Sequence, residues 1–162
     1  GGYGLMRFSI LLPSLFMFVA ITGILATAIL CMRQTDFKSL IAMFSVSHMN
    51  LIIVAALIQS QSSYTGAMAL MIIHGLTSSA LFCLANTTYE RTNSRTMILL
   101  RGTMVILPLA ATWWLAISLF NMALPPLVNF FAELRIMTPL LKWSTAAFIV
   151  VSLNLIFTTA YT

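Results

Sequence analysis

The sequence predicts an all-α fold, a polytopic transmembrane helical bundle of about five spans. Hydrophobic residues make up 60% of the chain and charged residues only 7%, against about 25% charged residues in soluble domains. The apolar residues fall in uncharged runs of roughly twenty residues, the length of a helix that crosses a bilayer. No alternating pattern of apolar and polar residues predicts β-strands. Composition therefore excludes a soluble globular domain.

Short polar or charged segments separate the predicted spans. A charged turn at 33–38 follows the first span, and residues 59–63 form an uncharged polar loop. The fourth span is interrupted after a full-length first half, because Pro125 and Pro126 break the helical backbone. We expect one transmembrane region that is a piece of a larger protein. Its predicted spans are 14–32, 39–59, 64–89, 102–141 (broken near 125–126) and 143–162.

Basic residues outnumber acidic residues by eight to three, which gives a formal net charge of +5. In a membrane chain this excess indicates topology rather than nucleic-acid binding. If the spans alternate in direction, five basic residues share one face, and the positive-inside rule places that face on the cytoplasmic or matrix side. These residues are Arg33, Lys38, Arg91, Arg95 and Arg101.

Three ionisable residues fall within the apolar runs. Glu133 follows thirty-one uncharged residues, and His48 and His74 lie near the centres of the second and third spans. An ionisable group at membrane depth costs about 2.5–3.5 kcal/mol on insertion scales, and proteins that accept this cost commonly use the group to move ions. Histidine and glutamate both suit reversible proton transfer. The alternatives are structural: each histidine as a helix–helix hydrogen-bond partner, Glu133 as a structural carboxyl, and Lys38 as an interfacial anchor.

Helical geometry predicts which polar side chains share a face with the histidines. Ser45 lies about 60° and Lys38 about 80° around the helix from His48, at about 100° per residue. Ser78 lies about 40° from His74 on the same basis. Both histidines therefore lie on stripes that we expect to face another helix or water rather than lipid.

The surroundings of Glu133 are predicted in the same way. Asn129 precedes it by four residues and shares its face, so the amide is predicted to hold the carboxyl or an ordered water. Arg135 points about 200° away on a regular helix, which predicts that it extends toward the membrane interface instead of pairing with Glu133.

The sequence contains no motif of soluble enzymes. It has no glycine-rich phosphate loop, no dinucleotide fingerprint and no cysteine cluster for iron–sulfur. We therefore predict no catalytic residue, no metal site and no cofactor in this chain. The residues alone indicate a multi-span membrane protein whose buried His/His/Glu series conducts ions.

Four segments carry a more specific resemblance. They are GGYGLMR at 1–7, CMRQTDFKSLIAMFSVSHM at 31–49, MIIHGLTSSALFCLANTTYERTNSR at 71–95 and ALPPLVNFFAEL at 123–134. In this order they resemble the chain 4 family of NADH–ubiquinone oxidoreductase, the mitochondrially encoded antiporter-like membrane subunits of respiratory complex I. The resemblance covers the whole chain.

The resemblance implies an antiporter-like fold that translocates protons across the mitochondrial inner membrane, driven by electron transfer in other subunits. It places Lys38, His48 and His74 on the central hydrophilic axis of the family and Glu133 on the acidic residue of its broken helix. The implied partners are the other membrane subunits of complex I, including neighbouring antiporter-like subunits, and the lipid bilayer, with no nucleic acid. NADH, FMN, iron–sulfur clusters and quinone are implied only for the parent complex.

Two residues depart from the pattern of the family that the chain resembles. Asn50 stands where a small residue is usual, and Arg135 stands where an uncharged residue is usual, so it could alter the proton affinity of Glu133. Two other functions stay open from the sequence. One is a subunit of a cation/proton antiporter that exchanges Na⁺ for H⁺, and the other is a structural membrane subunit without conduction of its own.

Overall fold

The computed structural model describes residues 2–8, 13–122 and 124–161, and this part of the chain is helical. It contains no strand, and its single β-bridge joins Asp36 to Thr96. The predicted all-α fold is confirmed for these residues. The helices are α1 Gly2–Phe8, α2 Pro13–Met32, α3 Phe37–Ile58, α4 Gln61–Thr92, α5 Thr103–Ile106, α6 Pro108–Asn121, α7 Val128–Trp143 and α8 Thr145–Tyr161.

Three of the described helices, α2, α3 and α4, are long and apolar enough to cross a membrane, and α8 is a shorter apolar helix. The third predicted span was 64–89, but α4 extends beyond it at both ends. Residues 61–63, which the sequence placed in a polar loop, belong to the first turn of α4. The helix begins there because the Ser60 hydroxyl accepts a hydrogen bond from the Ser63 backbone N–H and caps it. At the other end, Asn93 closes the helix in a left-handed conformation, with φ of 53°.

The predicted interruption at Pro125 and Pro126 is present, since α6 ends at Asn121 and α7 begins at Val128. The prediction of a full-length first half was wrong. Pro108 begins α6 and divides it from the single turn of α5, because proline disfavours helical conformation in the preceding residue. The fourth predicted span is therefore three helical pieces rather than two.

The packing of the helices brings α3, α4 and α7 together. α3 packs against α2 and α4, α4 packs along α7, and α8 packs against α2 and α7. Gly66 allows the close approach of α4 to α7, because a Cβ there would lie 3.0 Å from the backbone oxygen of Ala132 and 3.0 Å from Ile136. The next residue after Ala132 is Glu133, so this contact fixes its position relative to α4.

A second close contact involves one of the residues that depart from the family pattern. The Asn50 side chain on α3 lies against Gly23 on α2, where an added Cβ would be 2.8 Å from the Asn50 amide nitrogen. The larger residue at position 50 is thus accommodated by the absence of a side chain at position 23.

The outer surface of the bundle is apolar. Large hydrophobic side chains such as Phe18, Ile72 and Val105 are 70%, 64% and 87% exposed. Exposed apolar surface of this extent fits a lipid environment, in which apolar side chains need no burial. At one end of the bundle, which we call the charged end, residues 33–38 meet residues 90–101, and these two charged segments carry the five basic residues predicted to share a face. The Phe37 backbone N–H donates to the Arg95 carbonyl, and the Met97 N–H donates to the Thr35 carbonyl.

Candidate functional site

The two histidines predicted to lie inside the membrane contact each other. His48 on α3 and His74 on α4 stack with ring centroids 5.2 Å apart and an interplanar angle of 26°. Both are buried, at 5% and 4% exposure. Their meeting follows from the packing of α3 against α4, with each histidine on the inward stripe of its helix.

Glu133 joins the pair from the third helix. Its Oε1 atom lies 4.0 Å from Nδ1 of His48, and both side chains are almost fully buried. This distance exceeds the 2.7–3.2 Å of a hydrogen bond, so the two groups are neighbours without a direct bond. Within the described residues, neither ring nitrogen of His48 has a hydrogen-bond partner. The three ionisable residues therefore form one buried cluster, which we call the His–His–Glu cluster.

An apolar residue, Phe44, packs against this cluster. Phe44 lies one turn before His48 and is 2% exposed. Its ring meets the His48 ring edge-on at 4.5 Å and lies 6.1 Å from the His74 ring. The sequence reasoning missed Phe44 because it searched the stripe for polar and small residues only. The i−4 spacing from His48 was the available signal.

Lys38 does not join the cluster. It is exposed near the start of α3, about 15 Å along the helix axis from His48 at 1.5 Å per residue. Ser45 and Ser78 face the interior only in part, and their hydroxyls donate to the carbonyl oxygens of Ile41 and Gly75 on their own helices. The structure thus brings together His48, His74 and Glu133, but neither the lysine nor the two serines.

Asn129 is buried, yet it does not hold Glu133 as predicted. Its amide nitrogen donates to the backbone oxygens of Phe120 at 3.3 Å and Asn121 at 3.5 Å. These are the final residues of α6, whose last carbonyls have no partner within their own helix. Asn129 therefore ties the end of α6 to the start of α7 across the proline break. The four-residue spacing correctly predicted that Asn129 is on the same buried face of α7 as Glu133. The carbonyls at the end of α6 also lie against that face, and the Asn129 amide donates to them.

Arg135 faces away from Glu133, in agreement with the helical geometry. It is exposed, and its Nη1 atom donates to the Thr65 hydroxyl at 3.2 Å, while its own carbonyl accepts from Ser62 at 3.3 Å. These bonds join α7 to the first turn of α4. The positive charge at position 135 is thus directed to the rim of the bundle and away from the cluster.

A further buried polar pair lies next to the cluster. The Ser47 hydroxyl donates to Oδ1 of Asn154 at 3.3 Å, and the two residues are separated by 107 positions in sequence. Both are buried, at 1% and 4% exposure. The bond joins α3 to α8 immediately beside His48. No local pattern could have predicted it, because nothing near Asn154 distinguishes it from the other polar residues of α8.

The His–His–Glu cluster has the chemistry of a proton relay. Imidazole and carboxyl groups bind and release protons reversibly, and here they come from three different helices and meet inside the bundle. Two imidazolium ions 5.2 Å apart would repel by roughly 3 kcal/mol at an effective dielectric constant of 20. The histidine pair is therefore expected to hold one proton at a time.

Comparisons with known proteins identify related sequences. A family model described as "NADH:quinone oxidoreductase/Mrp antiporter, TM" matches residues 1–159. Proteins named NADH-ubiquinone oxidoreductase chain 4 are similar over nearly the whole chain. The protein of Struthio camelus is 53% identical over 100% of this chain, that of Gadus morhua 52% over 99%, and that of Danio rerio 51% over 99%.

The chain spans only 36–37% of the length of these relatives. The family match, however, covers almost all of the 162 residues and includes every residue of the cluster. The chain therefore belongs to the NADH:quinone oxidoreductase/Mrp antiporter family of membrane proteins.

Proposed function

We propose that this chain is part of a proton-translocating membrane subunit of respiratory NADH:ubiquinone oxidoreductase in the mitochondrial inner membrane. The observation that carries the proposal is the meeting of His48, His74 and Glu133, from three helices, at one buried point. Burying three ionisable groups is costly, and a role in moving protons accounts for that cost. The similarity to proteins named NADH-ubiquinone oxidoreductase chain 4 supports the choice of complex.

In this proposal a proton passes between Glu133 and His48 and then between the stacked histidines. The 4.0 Å gap between Glu133 and His48 requires either a bridging water or a closer approach of α7 to α3. Because repulsion favours one proton in the pair, arrival of a second proton promotes release of the first. Lys38, about 15 Å along α3, is proposed to receive or supply protons through water rather than by contact.

We also propose that electron transfer and quinone binding occur in other subunits of the complex. The chain has no cysteine cluster or nucleotide motif for electron carriers, so NADH, FMN, iron–sulfur clusters and quinone belong to the parent complex in this proposal. Its partners are then the other membrane subunits, including neighbouring antiporter-like subunits. The exposed apolar faces of the bundle are suited to packing against the helices of such subunits or against lipid.

A cation/proton antiporter subunit is the second candidate, because the matching family description includes the Mrp antiporters. The two candidates differ in sodium dependence. Transport that requires Na⁺ would favour the antiporter, whereas transport driven by NADH oxidation in sodium-free buffer would favour the complex I subunit. A purely structural subunit is the third candidate, and it predicts that neutralising the cluster leaves pumping intact.

The test is Glu133→Gln in the full-length subunit, with protons pumped per electron pair measured in vesicles. Glutamine keeps the size and hydrogen bonding of the side chain but cannot titrate. We expect pumping to fall while the complex still assembles. Glu90→Gln is the matched control, since Glu90 is an exposed carboxyl at the end of α4 that accepts from Asn86 at 2.7 Å.

Normal pumping by Glu133→Gln would contradict the role of the carboxyl and leave the histidines to be tested. His48→Gln and His74→Gln provide that second arm. Full pumping by all three variants would contradict the proposed function.

A further inference from the structure

A cavity of about 220 Å³ lies among α3, α4 and α6, and its lining includes Phe37, near the charged end of the bundle, and Phe44, beside the His–His–Glu cluster. Phe37, Met97 and Trp114 line it at the end where the two charged segments meet, and Ile41 and Leu81 form its walls. Phe37 and Phe44 both line it, and they lie about 10 Å apart along α3 at 1.5 Å per residue. The cavity therefore has room for several water molecules of about 30 Å³ each.

Phe44 borders both this cavity and the two histidines. It contributes to the cavity lining, and it also lies against the rings of His48 and His74. Ile41, a turn closer to the charged end, also lines the cavity and packs against Leu81 and Ala85. The phenyl ring of Phe44 thus lies against both imidazoles and at the border of the cavity.

The polar ring nitrogens of His48 and the apolar ring of Phe44 differ in how they interact with water. Within the described residues, the ring nitrogens of His48 have no hydrogen-bond partner, although the residue is 5% exposed. Buried polar atoms normally have a hydrogen-bond partner, either a protein group or an ordered water. A phenyl ring provides no donor or acceptor, and hydrophobic constrictions in membrane pores stop water by dewetting.

We propose that Phe44 is an aromatic gate that controls the access of water, and so of protons, from this cavity to the histidine pair. The role of the histidines as proton carriers rests on the proposed function, whereas the control of water access by Phe44 does not depend on it. In a helix the Phe44 side chain has two favourable χ1 rotamers, and the adjoining cavity gives the ring somewhere to move. The open rotamer would join His48 to water at the charged end.

The experiment measures access directly. The full-length protein in its complex, with Phe44→Ala, is treated with diethyl pyrocarbonate, and modification of His48 and His74 is quantified by peptide mass spectrometry. The matched control is Ile41→Ala, because Ile41 is equally buried and lines the same cavity but lies seven residues before His48, about 10 Å along the helix axis. We expect severalfold more modification of both histidines in Phe44→Ala than in the wild type or the control.

Equal modification in the wild type and Phe44→Ala would overturn the gate, as would an equal rise in Ile41→Ala, which would indicate general loosening of the bundle. If Phe44→Ala prevents assembly of the complex, Phe44→Val removes the ring, keeps an apolar branched side chain and allows the same comparison.

A second measurement separates the gate from the proposed function. Passive proton leak is measured in vesicles without NADH, and we expect Phe44→Ala to raise it severalfold and the added change Glu133→Gln to remove the increase. Greater modification of the histidines without greater leak would support the gate and contradict the cluster as a proton path.

Discussion

The carboxyl of Glu133 and the imidazole of His48 face each other across 4.0 Å, although 85 positions separate them in sequence. The gap is too long for a hydrogen bond but short enough for one water to bridge it. In the proposed function, proton passage between α7 and α3 would therefore depend on the length of the side chain at position 133. Shortening that side chain tests the geometry separately from the ability to titrate.

Glu133→Asp withdraws the carboxyl by about 1.5 Å, the length of one carbon–carbon bond. Since a misplacement of about 1 Å in a proton-transfer geometry can reduce a rate by about 100-fold, we expect NADH-driven proton pumping to fall by about 10- to 100-fold. The measurement is the initial rate of proton uptake by vesicles of the assembled complex. A rate equal to that of the wild type would show that the 4.0 Å gap is not on the path.

Asn129→Ala removes the two hydrogen bonds that join α7 to the end of α6. At roughly 0.5–1.5 kcal/mol for each net hydrogen bond, we expect a loss of about 1–3 kcal/mol and a lower midpoint of thermal unfolding. We also expect pumping to fall in part, because the segment that carries Glu133 becomes less well fixed. Asn86→Ala is the control, since that exposed amide donates to the exposed carboxylate of Glu90 on its own helix, and it should leave both values unchanged. An unchanged midpoint in Asn129→Ala would contradict the role of the amide as a tie.

Sequence reasoning identified the three members of the cluster, though not their contact, because charged and titratable residues stand out against uncharged runs. His48, His74 and Glu133 were visible for this reason, and the proline pair marked the break before Glu133. Phe44 was not visible, because an apolar residue in an apolar helix has no contrast with its neighbours. The partners of Asn129 and Asn154 depend on tertiary packing, which local spacing does not encode. The division at Pro108 was not predicted, because the length of the apolar run gives no information on where proline prevents the preceding residue from being helical.

Gly66→Ala is expected to weaken the contact between α4 and α7. The added Cβ would lie 3.0 Å from the Ala132 carbonyl oxygen, a backbone atom that cannot rotate away, and 3.1 Å from the Cβ of Arg135. Overpacking of this kind costs about 1–3 kcal/mol. Gly75→Ala on the same helix is the control, because nothing lies within 4 Å of its added Cβ. Thermal unfolding of the assembled complex measures both, and equal midpoints for the two variants would contradict the close approach.

The bond between Ser47 and Asn154 is expected to couple α3 to α8. A double-mutant cycle with Ser47→Ala and Asn154→Ala should give a coupling energy of about 0.6 kcal/mol, with an upper bound of about 1.7 kcal/mol from other membrane proteins. The same cycle with Ser152→Ala in place of Ser47→Ala should give none, because the Ser152 hydroxyl donates to Ile149 within α8. Additive effects of the Ser47 and Asn154 changes would show that the bond contributes nothing to stability.

The fit of Asn50 against Gly23 has a consequence for how this sequence can change over time. An Ala at position 23 would lie 2.8 Å from the Asn50 amide nitrogen, so the Asn50 side chain would have to move to admit it. A small residue at position 50 would remove that crowding. Substitutions at the two sites are therefore expected to be coupled, with an Ala at position 23 better tolerated beside a small residue at position 50 than beside Asn50.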